Sequence, residues 1–63
     1  MWTVIMKRGK NKPDAEFHNT TEIQAMVRVD SLVELHGLDE HKDVVIDRGN
    51  RMVKIDASLW YDA

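Results

Sequence analysis

The chain is expected to fold as a single small α+β domain, residues 1–63, of order β-β-α-β-β: an antiparallel sheet of two hairpins covered by one helix. Three observations predict this. Apolar alternation of period two runs off both sides of the turn-forming pair Gly49-Asn50. A second pair of alternating stretches is separated by a loop that holds the only proline. Between the two hairpins, residues 20–38 carry an apolar stripe at helical spacing.

The first strand is read at MWTVIMK, residues 1–7, rich in β-formers, with Trp2, Val4 and Met6 on one face. RGKNKPD follows as a loop, because Gly, Asn, Pro and Asp favour turns over ladders. AEFHN then returns the chain, with Ala15 and Phe17 on one face and Glu16 and His18 on the other.

Two readings compete for residues 20–38. As a helix, the stretch opens on Thr21-x-x-Gln24, a capping-box pattern. Ala25, Met26, Val29, Leu32, Val33 and His36 then fall on one stripe. Gly37 stands where a left-handed cap would end it, with Leu38 placed for the contact beyond. As a strand, Ile23, Ala25, Val27 and Val29 alternate, and a short helix would start at Ser31-x-x-Glu34. One long helix is the preferred reading, since two hairpins need a wide apolar face to cover them.

DEHKD, residues 39–43, is a polar connector. In the second hairpin a two-residue Gly49-Asn50 turn would set Ile46 against Val53 and Val44 against Ile55. It would also set Arg48 against Arg51, a like-charge pair. ASLWYDA closes the chain as a short helical turn.

Composition limits function. A chain of 63 residues has a marginal core, and with no cysteine it has neither disulfides nor thiolate metal sites. Homodimerisation is therefore the expected source of extra stability. No run of consecutive apolar residues exceeds three, as in Val44-Val45-Ile46, against the roughly 20 that a membrane helix needs. No membrane partner is expected, no secretory leader is read, and a cytoplasmic location fits.

The net charge of −2 is unevenly spread. Residues 1–13 sum to +4 through Lys7, Arg8, Lys10 and Lys12, and the rest of the chain sums to −6. With Arg48 and Arg51, these cations form the candidate nucleic-acid site, provided that both hairpin tips lie at one end of the sheet.

Catalysis is not expected. No Ser-His-Asp set or glycine-rich nucleotide fingerprint is present, and a chain this short rarely encloses a catalytic pocket. His36-x-x-Asp39-x-His41 has no recognised ligand spacing, so no metal and no cofactor is assigned. Pro13-Asp14 with Glu40-x-Lys42 spells a nuclease-like pattern, but Glu40 and Lys42 fall in a connector and not on a strand beside the aspartate.

Trp60 and Tyr61 are the candidate partner-binding residues, because large aromatics dominate interfaces and these are hard to place in the core. The function expected is that of a small regulatory or accessory protein, an inhibitor or adaptor that binds another protein. Its composition resembles accessory proteins of bacteria and phages. The alternative is a nucleic-acid-binding regulator working through its basic hairpin tips.

Overall fold

The computed structural model describes residues 1–63. Strands β1 (Trp2–Lys7) and β2 (Ala15–Asn19) form the first hairpin, followed by helix α1 (Glu22–His36). Strands β3 (Val44–Asp47) and β4 (Met52–Asp56) form the second, followed by the short helix α2 (Ser58–Asp62). The β-β-α-β-β domain is thus present, with one main helix. Both hairpins are antiparallel as expected. The seam between them, β1 against β4, is parallel, so the sheet is mixed, in the order β2-β1-β4-β3. Short connections reverse the chain at each element, and β4 is four reversals after β1. It therefore points the same way as β1.

Residues 22–36 resolve as one helix, for a reason visible in the burial. Ala25, Val29, Leu32 and His36 face the sheet, while Ile23 and Val27 stand in solvent. Thr21 caps the helix in an extended conformation, its Oγ1 accepting from the Gln24 amide at 3.2 Å. Such a cap is worth about 1 kcal/mol. Gln24 does not reach back to the Thr21 amide. Its Oε1 accepts instead from the amide and hydroxyl of Thr20, one residue earlier. At the other end Gly37 takes the left-handed conformation (φ 61°), and Leu38 N–H donates to the Val33 carbonyl at 2.9 Å. That 6→1 bond satisfies a carbonyl the helix would otherwise leave open.

The core lies between α1 and the central strands. Trp2, Val4 and Met6 from β1 meet Val53 and Ile55 from β4, with Ala25, Val29 and Leu32 above them and Ala57 closing one end. The second hairpin has the expected register, Ile46 opposite Val53 and Val44 opposite Ile55.

Its turn differs from the two-residue form. A two-residue type I′ turn needs positive φ at both central residues, and neither Gly49 nor Asn50 has it. The turn spans Arg48–Arg51, with Arg51 N–H donating to the Arg48 carbonyl at 3.3 Å and Arg51 itself at φ 50°. Asp47 decides this. Its carboxylate accepts from the Asn50 amide at 3.2 Å and from Asn50 Nδ2 at 2.8 Å, clamping the loop from inside. The like-charge pair is relieved because Arg48 turns to Glu22 on α1, with Nε 3.4 Å from Oε1.

Candidate functional site

The direction of the strands sorts the loops to two ends. The β1–β2 loop, the 37–43 connector and α2 gather at the carboxyl ends of β1 and β4. The Arg48–Arg51 turn and the start of α1 lie at the opposite end, where Thr3 N–H donates to the Arg51 carbonyl at 3.0 Å. The two basic tips are therefore separated by the length of β1, about 20 Å for six residues. Lys7, Arg8, Lys10 and Lys12 do not join Arg48 and Arg51.

Several of these cations are engaged by their own chain. Arg8 Nε donates to the Pro13 carbonyl at 2.9 Å. Lys12 Nζ stands 4.9 Å from the centre of the Tyr61 ring, and Lys7 lies beside Asp56 across the parallel seam.

Trp60 and Tyr61 are brought together, and a third ring joins them. Their centroids are 4.6 Å apart at 73°. His36 sits 4.6 Å from Trp60 at 72° and 5.6 Å from Tyr61. Edge-to-face geometry suits rings with negative faces and positive edges. Tyr61 is half-buried against the core, whereas Trp60 remains 52% exposed and Leu59 84% exposed. His36 is only 9% exposed, and its Nδ1 has no hydrogen-bond partner.

Helix α2 is set by the sheet end beneath it. Ala57 N–H donates to the Lys7 carbonyl at 2.9 Å, continuing the parallel ladder, and the Ala57 carbonyl accepts from Trp60 and Tyr61. Asp56 covers the open amides, its Oδ1 accepting from the Ser58 amide at 3.0 Å and from the Ser58 hydroxyl. Asp56 N–H in turn donates to the Asp43 carbonyl at 2.8 Å, tying the connector to β4.

A notch of about 300 Å³ opens here, lined by His36, Leu38, Asp43, Asp56, Leu59 and Trp60, with Gly37 at its rim. Of these, Trp60 alone was expected as a partner-binding residue. The apolar pair Leu59-Trp60 is a signal readable in the sequence, but Asp43 and Asp56 meet only through the fold.

The chain matches no protein-family model, no curated protein and no solved structure. No three His, Asp or Glu side chains converge as a metal-holding group, and no helix is long and apolar enough to cross a membrane.

The loop and α2 are matched at Gly9. Its φ of 151° lies where side chains rarely go, and a Cβ there would run into the Asp62 carboxylate. Asp62 can swing aside, so the backbone sets the cost. Gly9→Ala is expected to destabilise the domain by about 1–3 kcal/mol, read as a lower urea midpoint. An unchanged midpoint would contradict this loop conformation.

Two carboxylates titrate below their ordinary value of 3.8. Asp47 is held down first by the Asn50 side-chain amide and then by the Asn50 backbone. Asp56 is held down first by the Ser58 hydroxyl and then by the Ser58 amide. A depressed folded value means that the stabilisation is complete above the ordinary value and is lost as pH falls through the folded one. Urea midpoints are therefore expected to fall once the pH drops below about 4. Asp47→Asn should be less stable than wild type at neutral pH and should show a flatter acid limb; an identical acid limb would remove Asp47 from this account.

Proposed function

We propose that the protein is a non-catalytic binder of another protein, an inhibitor or adaptor, and that it makes contact through the face around Trp60 and Tyr61. The observation that carries this reading is the placement of α2. The core holds that helix through Ala57 and Tyr61, while Leu59 and Trp60 are left in solvent, 84% and 52% exposed. Exposed apolar residues that cluster inside a polar rim are a common mark of a protein-binding face. A half-exposed Trp backed by two further rings also has the rigidity typical of an interface anchor.

Capture from the native source with the tagged full chain tests the reading. Trp60→Ala is expected to keep the fold and to weaken the captured partner about 30-fold, the equivalent of a hot-spot residue. Unchanged capture, together with an unchanged sedimentation profile, would overturn it. In parallel, changing Lys10, Arg48 and Arg51 to Glu, and leaving Lys12 against Tyr61 as it is, should leave capture largely intact. If instead the wild type shifts DNA or RNA in a salt-sensitive way and this variant does not, the basic tips carry the function.

A further inference from the structure

We propose that the notch beside Trp60 is a socket for an arginine side chain presented by the protein partner. The proposal deepens the reading of α2 as a protein-binding face and rests on it. Three features carry it.

The first is acidic charge without an ion-pair partner. Asp43 and Asp56 both line the notch, and no lysine or arginine does. The three ion pairs of the molecule join His18 to Glu16, His41 to Glu40 and Arg48 to Glu22, so neither notch carboxylate takes part. Lys7, on the strand next to Asp56, is the nearest basic residue in register; its charge helps to lower the Asp56 carboxyl, but it makes no ion pair there. Each carboxylate spends one oxygen on its own backbone. Asp43 Oδ2 accepts from the Asp39 amide at 2.9 Å, and Asp56 Oδ1 accepts from Ser58. Asp43 Oδ1 and Asp56 Oδ2 make no hydrogen bond within the chain.

The second feature is independent of the acids. His36 lines the same notch, nine-tenths buried, with Nδ1 below the surface and unpartnered. In the tautomer protonated at Nε2 this nitrogen is an acceptor. Acceptors at the notch thus outnumber its side-chain donors, of which the Trp60 indole N–H is one. A guanidinium carries five donors and no acceptor, so it complements that deficit better than an amide, a hydroxyl or an anion.

The third is shape. Trp60 supplies an indole wall, with Leu38 and Leu59 as apolar flanks. A guanidinium stacks on an indole, and the methylene stem of an arginine covers leucine side chains. Lysine offers the charge without the planar group, which makes arginine the better occupant.

Acetyl-arginine-amide is the probe, titrated into the full chain and followed by NMR. The Trp60 indole N–H and the amides of Asp43 and Asp56 are expected to shift saturably, with the Trp2 indole unmoved as a monitor of the core. Acetyl-citrulline-amide, which has the same shape without the charge, should leave them in place. Asp43→Asn with Asp56→Asn keeps the acceptor oxygens that hold the backbone, and should weaken the response at least tenfold. Equal responses to arginine and citrulline, or an unweakened response in the double variant, would overturn the proposal. Capture separates the two levels. If Trp60→Ala loses the partner while the double Asn variant keeps it undiminished, the binding face stands and the arginine socket falls. If Trp60→Ala captures as wild type does, the face itself fails, and the socket falls with it as a partner contact.

Discussion

Trp2→Ala is expected to cost about 3–5 kcal/mol, the range for removing a buried aromatic side chain. Trp2 is 8% exposed and shares a core with Val4, Met6, Val29 and Ile55. A domain of 63 residues has about 3–9 kcal/mol of total stability at the usual share per residue. The loss is therefore comparable to the whole, and the variant should be largely unfolded at room temperature. Far-UV circular dichroism and a urea titration would show this, with Trp60 left as the only indole reporter. Trp60→Ala is the informative partner. Trp60 is half exposed, so its removal should shift the urea midpoint far less. Should the two variants unfold alike, the loss of partner capture assigned to Trp60 would be a folding effect.

Ile55→Ala is the second large effect, about 2–5 kcal/mol. Ile55 is 2% exposed and sits where the two hairpins meet. It lies opposite Val44 within its own hairpin and opposite Met6 across the parallel seam. Removing its side chain leaves a cavity in both halves of the sheet, so the hairpins should lose cooperativity together. Ile55→Val removes one methylene and should cost only about 0.5–1.5 kcal/mol. If the alanine variant costs no more than the valine variant, the seam is not packed as described.

Much of this architecture is legible in single residues. The Thr21 and Gly37 caps, the stripe from Ala25 to His36 and the pairs Ile46–Val53 and Val44–Ile55 all depend on neighbours within a few turns or one hairpin. Counting reversals gives β4 the direction of β1, whereas their pairing as a parallel seam, in a sheet expected to be antiparallel, rests on the strand order. The same count separates the basic tips, since the β1–β2 loop follows an odd number of traversals and the β3–β4 turn an even one. Arg51, by contrast, takes the positive φ that Gly49-Asn50 advertises. The Asp47 carboxylate outbids the dipeptide preference by bonding Asn50 twice.

The candidate site was legible only in its aromatic half. Trp60-Tyr61 reads as a contact from residue type and position alone. The notch around it needs Asp43 from a connector, Asp56 from a strand end and His36 from a helix end, and no local pattern links these three.

By itself, then, the sequence determined the elements, their order, their caps and the hairpin register, because hydrophobic period and turn chemistry act over short separations. It also limited the chain to one small domain without disulfides. Tertiary structure alone decided that His36 would be buried under Trp60 and Tyr61, and that two carboxylates would share one notch without a cation. Those juxtapositions depend on where α1 ends over the sheet and how α2 folds back from β4. They are set by packing between segments far apart in the chain, which no period along the chain encodes.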